Sequence, residues 1–306
     1  MNELKKIIKR TFVIGDEWLY YKLYCGSKTA DEILKQVIKP VAEDLQKNGM
    51  IDKWFFIRYS DPKLHLRVRF HFVNSQSINN IIFLIKRTTD SFIKDDLLWK
   101  IQIDTYQREI ERYGENTMEL AEELFFYDSE MIVNIIDMIE GDEGEKIRWL
   151  FSLRAIDCFL DDFLYDDQQK LSLLEGLKDG FGREFGMNRS LKMQLDKKFR
   201  DERQYIINVM NKELDENSEI KPLFNLLSQK SEKIKPITQK ILELQSNNKL
   251  QIPLNDLIGS YIHMLMNRLF KSKQRVHEMV IYDFLFRYYK SEIAKKKYSP
   301  KLELAR

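Results

Sequence analysis

An α+β architecture, with a small antiparallel sheet ahead of a long helical portion, follows from three features of this 306-residue sequence. Up to about residue 104 the apolar positions alternate between period-two and helical spacing. From about Asn116 onward only helical spacing recurs, and Pro and Gly are too sparse, at 6 and 11, to mark an evident linker.

The elements follow in order. Residues 18–25 (WLYYKLYC) are aromatic and strand-like. Ser27, Thr29 or Asp31 then caps a helix whose apolar positions Ile33, Leu34, Val37, Ile38, Val41 and Leu45 share one face, and Asn48-Gly49 stops it. Residues 54–59 and 64–72 form a hairpin across Asp61-Pro62-Lys63, where proline presets a tight turn. A second helix over residues 77–92 and a strand over 97–104 complete the series. The order β-α-β-β-α-β is that of a ferredoxin-like sandwich, in which two helices cover one sheet face. Eight helical segments follow, over residues 117–126, 130–140, 145–163, 168–181, 189–214, 220–245, 253–270 and 276–294. The chain is therefore expected to be a single domain, with an α/β part over residues 1–110 and a helical part over 111–306.

Composition narrows the function classes. With 43% hydrophobic and 32% charged residues the chain reads as an ordinary folded protein, and no apolar run approaches the length of a membrane helix. The start, MNELKKIIKRTF, has no apolar stretch ending in a cleavage site, so the chain is expected in the cytoplasm. Cys25 and Cys158 are far apart and suggest two buried thiols in a reducing compartment. A net charge of +2 from 50 basic and 48 acidic residues leaves no global field for nucleic acid, so any basic site must be local. No glycine-rich phosphate loop, nucleophile elbow or metal-ligand spacing is present, and no cofactor or metal is expected.

Three segments carry chemistry-bearing residues. Residues 64–72 (LHLRVRFHF) alternate without a fault, placing Leu64, Leu66, Val68, Phe70 and Phe72 on one face and His65, Arg67, Arg69 and His71 on the other. If the turn pairs Asp61 with Leu64, Arg58 lies opposite Arg67 and three guanidinium groups gather on one face. Such crowding is destabilising unless anions or carboxylates intervene. Either this is a solvated sheet face or it is a bidentate site for a carboxylate or phosphate. Residues 104–114 (DTYQREIERYG) mix acids, arginines and tyrosines at the exit from the last strand, which fits either surface ion pairing or a functional loop. Residues 260–270 (SYIHMLMNRLF) put His263 and Asn267 on one face of an otherwise apolar helix. His263 there is either a satisfied core residue or a proton carrier.

Taken together, residues 54–70 (WFFIRYSDPKLHLRVRF), 105–114 (TYQREIERYG) running on to 121–130 (AEELFFYDSE), and 261–270 (YIHMLMNRLF) with 282–291 (YDFLFRYYKS) resemble the C-terminal domain of class I lantibiotic dehydratases. The same domain occurs alone as the thiopeptide-type bacteriocin biosynthesis protein. The resemblance implies expulsion of glutamate from glutamylated Ser or Thr of a ribosomal precursor peptide, leaving a dehydroamino acid. It implies that Arg67 of the HLR motif, Arg112 of RYG and His263 of HM-NRL take part in elimination. It further suggests Arg58, Arg69, His65, Tyr113, Asn267 and Arg268 as substrate-binding groups. The implied partners are the glutamylated precursor peptide and a separate large glutamyl-tRNA-dependent subunit, with a second copy of this chain as a further candidate and no direct contact with nucleic acid. One departure is Glu115 after Gly114, where the family often has a second glycine. The alternatives are a pyridine synthase, which joins two dehydroalanines on a related domain, and a non-catalytic peptide-binding subunit. The joint presence of Arg67, Arg112 and His263 argues for elimination.

Overall fold

In the computed structural model, which describes residues 8–74, 77–139, 144–211 and 220–298, the principal sheet has four strands. These are β2 (Trp18–Cys25), β3 (Ile51–Tyr59), β4 (His65–Phe72) and β5 (Leu98–Asp104), in the order β3-β4-β2-β5 with every neighbouring pair antiparallel. Two short strands that the sequence pattern does not announce, β1 (Thr11–Phe12) and β6 (Tyr106–Gln107), pair beside it. A two-residue strand leaves too few positions for a period to be read.

The helix after β2 is built in three pieces: α1 (Ser27–Ile33), a wide turn over Leu34–Ile38, and α2 (Lys39–Lys47). The cause is Pro40 in the first turn of α2. Proline has no N–H to donate and its ring collides with the carbonyl four residues back, so the turn before it relaxes to five-residue bonding, with the Lys39 N–H on the Leu34 carbonyl. Together with α3 (Ile78–Lys94) these helices bury Ile33, Leu34, Val37, Ile38, Val41, Leu45, Ile81 and Ile85 over the sheet. The expected stop is in place, with Gly49 at φ +65°.

The hairpin register differs from the sequence expectation. Tyr59 pairs with His65, Arg58 with Leu66 and Ile57 with Arg67. A slip of one residue sends a side chain to the other face, so Arg58 does not join Arg67 and Arg69. It points instead toward α1, where its Nη2 donates to Asp31 Oδ1 at 2.6 Å.

Beyond the sheet, α4 (Ile110–Tyr113) is a single turn and α5 (Met118–Met138) runs unbroken where two helices were expected. Ser129, at the expected break, donates its hydroxyl to the Phe125 carbonyl at 2.7 Å and so stays inside the helix. The remaining helices are α6 (Gly144–Asp162), α7 (Asp167–Glu184), α8 (Arg189–Asn211), α9 (Lys221–Ser246), α10 (Leu254–Leu269) and α11 (Gln274–Tyr298). The parts of the expected elements at residues 140 and 212–214 lie outside the described residues.

The chain divides into two compact units, and not at residue 110. Met1–Asp142 and Ser228–Ser272 form one, containing the sheet with α4, α5, α10 and most of α9; Glu143–Leu227 and Lys273–Arg306 form the other. Periodicity could not show this, because α5 and α10 carry the same helical pattern as the rest and join the sheet through long-range contacts. The helical unit has its own buried core, including Phe151, Ile156, Leu174, Ile206, Phe284 and Leu285. Within it Lys170 bonds Asp157, Asp161 and Tyr289 at 2.7, 2.5 and 3.2 Å. Cys25 is buried and Cys158 is half-buried.

What ties α5 and α10 to the sheet is the open edge of β3. The Phe56 N–H donates to Ser129 Oγ at 3.2 Å, while Asn267 accepts from the Arg58 N–H and donates to its carbonyl, both at 2.9 Å. An uncovered edge strand would expose these groups for pairing with another chain. Ser129 Oγ also accepts from Arg268 Nε at 3.2 Å, so one hydroxyl satisfies two buried donors. Ser129→Ala is expected to cost about 2 kcal/mol, because both donors would be left buried without an acceptor; the shift in the urea unfolding midpoint at constant slope measures it.

Candidate active site

The sheet face away from α1–α3 carries Trp18, Tyr20, Lys22 and Tyr24 from β2, Phe55, Ile57 and Tyr59 from β3, and His65, Arg67 and Arg69 from β4. It is not a solvated face. His65 is 3% exposed and Arg69 7%. Arg69 is paired across both strands with aromatic residues, Tyr20 and Phe55, and Tyr106 closes over it. Its guanidinium carbon lies 4.4, 5.1 and 4.7 Å from those three ring centres. Its Nε and Nη1 have no hydrogen-bond partner among the described residues, and burial lowers its pKa from the usual arginine value. The rings offset part of the lost hydration through their negative faces.

Arg67 is the half-buried cation of the same strand. Its guanidinium carbon lies 3.4 Å from the Tyr59 ring centre, and its Nε donates to His65 Nε2 at 3.1 Å. Beside it on β2, Lys22 is ion-paired with Asp104 of β5. That pair was missed in the sequence, although the alternation of Trp18, Tyr20, Lys22 and Tyr24 along β2 already places Lys22 on the arginine face.

The segment after β5 is pinned by a buried ion pair. Arg108 meets Glu122 of α5 through two hydrogen bonds of 2.7 Å, and Tyr106 donates its hydroxyl to the same carboxylate at 2.8 Å. Arg108 also donates to the Lys9 carbonyl at 3.0 Å, which holds the strand β1 against β6. The chain then makes the single turn α4 and leaves it through Gly114 at φ +76°. A side chain there would be strained, and its Cβ would stand 3.2–3.3 Å from Thr117, Asn116 and Gln251. Glu115, the departure from the family pattern, has its backbone N–H donating to Gln251 Oε1 at 2.6 Å.

Arg112 projects from α4 onto α10. Its Nε donates to Ser260 Oγ at 3.1 Å, and Glu109 lies 3.6 Å from its Nη1. Tyr113 is buried and stacks on Tyr261 at 5.7 Å, so it packs into the helix interface. On α10, Ser260, His263 and Asn267 follow at helical spacing along a half-buried stripe. Ser260 meets Arg112, Asn267 meets the backbone of Arg58, and His263 stands between them on the stripe. Ile57, next to Arg58, is the cross-strand neighbour of Arg67.

Not every expected binding group is available to a ligand. Arg58 is committed to Asp31 and to the Arg268 carbonyl, at 2.6 and 3.0 Å. Arg268 is fully buried and bonds Ser129 and the Met264 carbonyl, with Asp128 3.9 Å away. Burial, opposed by Asp128, pushes its pKa down to about 10. These two arginines and Asn267 join helix to sheet edge. A cavity of about 910 Å³ lined by Asp31, Lys35, Phe92, Ile136 and Lys271 contains none of the expected site residues. Among the described residues, no cluster of His, Cys, Asp and Glu could hold a metal, and no helix is long and apolar enough to cross a membrane.

Residues 18–289 match the model of the lantibiotic biosynthesis dehydratase C-terminal family, which is nine-tenths of the length. The chain belongs to that family. The chain is similar to curated proteins much longer than itself. The subtilin biosynthesis protein SpaB of Bacillus subtilis is 26% identical over 273 residues, 87% of this chain and 25% of SpaB. The nisin biosynthesis protein NisB of Lactococcus lactis subsp. lactis is 29% identical over 165 residues, 52% of this chain and 16% of NisB. The chain thus spans about a quarter or less of the length of these relatives. In fold it is similar to the tRNA-dependent lantibiotic dehydratase MibB of Microbispora sp. 107891, with TM-score 0.71 and 19% identity over 94% of this chain and 29% of MibB. It is similar also to TbtD, a pyridine synthase from thiomuracin biosynthesis, with TM-score 0.63 and 10% identity over 90% of this chain and 100% of TbtD.

The loop carrying Arg112 in this family member depends on the Arg108–Glu122 pair. Glu122 is fully buried, so Glu122→Ala would leave the buried Arg108 with only the exposed Glu119, 4.0 Å away, as a carboxylate partner. A loss of about 3 kcal/mol or more is expected in urea unfolding, well above the cost of removing an exposed pair.

Proposed function

We propose that this chain is the glutamate-eliminating component of a lantibiotic-type dehydratase, acting in the cytoplasm on a ribosomally made peptide whose Ser or Thr carries a glutamyl ester. The family supports this reading, as do the relatives named for subtilin and nisin biosynthesis. The observation that carries it is the Arg112–Ser260 hydrogen bond. It ties the arginine of the strand-exit loop to α10 one turn from His263, on a helix whose Asn267 is bonded beside the cross-strand neighbour of Arg67. The strand order supports reading the sheet as ferredoxin-like.

The chemistry needs three things: removal of the Cα proton, stabilisation of the enolate that develops on the peptide carbonyl, and acceptance of the departing carboxylate. His263 takes the proton. The Cβ–O bond breaks, the Cα–Cβ double bond forms, and glutamate leaves as an anion. Arg67 and Arg112 hold the glutamyl group and spread its charge, and the partnerless nitrogens of Arg69 add a positive field beside them. Attachment of glutamate from glutamyl-tRNA is assigned to a separate large component, so contact with the peptide, and not with nucleic acid, is expected of this chain.

A second reading, joining of two dehydroalanines into a pyridine, is favoured by the likeness to TbtD along the whole of that chain. The two separate by product. Supplied with a synthetic glutamylated peptide, the chain should release free glutamate and yield dehydroalanine or dehydrobutyrine, read by mass. Arg67→Ala, Arg112→Ala and His263→Ala should each slow release by about 100-fold or more, as deletion of a charge-stabilising donor does. Full activity in all three variants would end the elimination reading, and a cyclised product from a peptide bearing two dehydroalanines would establish the other.

A further inference from the structure

His65 lies between the rings of its two cross-strand neighbours, Tyr24 at 4.7 Å and Tyr59 at 5.5 Å. Both ring nitrogens are occupied, and the partners fix which one carries the proton. Nδ1 stands 2.7 Å from the Lys63 carbonyl, which can only accept, so Nδ1 bears the hydrogen. Nε2 stands 3.1 Å from Arg67 Nε, which can only donate, so Nε2 bears a lone pair. The imidazole must be neutral to make both bonds. An added proton would set an N–H against an N–H and a cation against a cation. The resulting hydrogen bond fixes one edge of the Arg67 guanidinium while Tyr59 covers one of its faces at 3.4 Å.

We propose that His65 is the positioning residue of Arg67: as a neutral imidazole it orients the guanidinium toward the substrate carboxylate, and on protonation it releases it. The surroundings favour the neutral state. From β2, Lys22 and Tyr24 face the ring; from β3, Tyr59; from the turn, Asp61 and Lys63; and on β4, Arg67. Burial acts first to lower the pKa of His65 from the usual imidazole value, and Arg67 and Lys22 lower it further against the Lys63 hydrogen bond and Asp61. Protonation therefore requires acid, and it acts on Arg67 and not on the reacting atoms.

This inference rests on the elimination reading for its rate consequences but not for its spectroscopic ones, which lets the two fail separately. Nitrogen-15 spectra should show the Nδ1–H tautomer for His65. They should also show a slowly exchanging Arg67 Nε–H, assigned by its loss in Arg67→Lys, that is present at neutral pH and lost at a second, acidic pH below the usual imidazole range. That signal should vanish in His65→Phe and persist at both pH values in His65→Gln, whose amide can accept from Arg67 without titrating. With glutamylated peptide, His65→Phe should lower kcat/KM by about 10- to 100-fold, the range for a misoriented reacting group, and His65→Gln should recover most of it. Combined with Arg67→Ala, His65→Phe should cost nothing more, because a residue that acts only through another has no effect once that other is gone. An Nε2–H tautomer, a protected Arg67 Nε–H in His65→Phe, or a further rate loss in the double variant would overturn the proposal. A wild-type chain that gives the expected spectra but releases no glutamate would instead overturn the elimination reading alone.

Discussion

The open edge of β3 is the constraint on which the sheet unit depends. Its outward N–H and C=O groups need partners, and side chains supply them for the Phe56 N–H and for the N–H and C=O of Arg58, from Ser129 of α5 and Asn267 of α10. That choice draws in α10, a helix some 200 residues away in sequence from the strand it serves. Once α10 runs past β3, Ser260 is within reach of Arg112 and His263 is set on the stripe between Ser260 and Asn267. A hydrogen-bonding requirement of the backbone therefore determines which side chains can meet.

Around that edge, cations are dehydrated to different degrees. Arg268 and Arg58 are consumed in joining helix to sheet, and Arg69 is caged by three rings with two nitrogens unbonded. Arg67 retains part of its exposure, held at one side by a neutral histidine and on one face by a tyrosine. Burying several guanidinium groups in one region is tolerable because each has compensation: carboxylates for Arg58 and Arg108, carbonyl and hydroxyl oxygens with Asp128 nearby for Arg268, and aromatic faces for Arg69.

Much of this was legible beforehand. The strand alternation in residues 64–72 correctly separated Leu66, Val68 and Phe70 from His65, Arg67 and Arg69, because period two is a property of the pleat itself. The eight-residue spread of Trp18–Cys25 and the helices after residue 144 were readable for the same local reason. Arg58 was misassigned because register depends on the length of the turn, and a shift of one residue reverses a side chain. The split of α1 and α2 was hidden in an unbroken apolar pattern, although Pro40 was in view.

The sequence by itself determined the alternation of faces, the succession of strands and helices, and the motifs that mark the family, since all three are local properties of neighbouring residues. Only the tertiary structure decided that aromatic rings close over Arg69 on the arginine-bearing sheet face, that α5 and α10 belong with the sheet, and that His65 serves Arg67 with one fixed tautomer. The first two outcomes depend on groups tens to hundreds of residues apart meeting in a space from which water has been removed, which no spacing along the chain encodes. The third joins residues two apart, yet only the folded hairpin sets which nitrogen of His65 meets Lys63 and which meets Arg67.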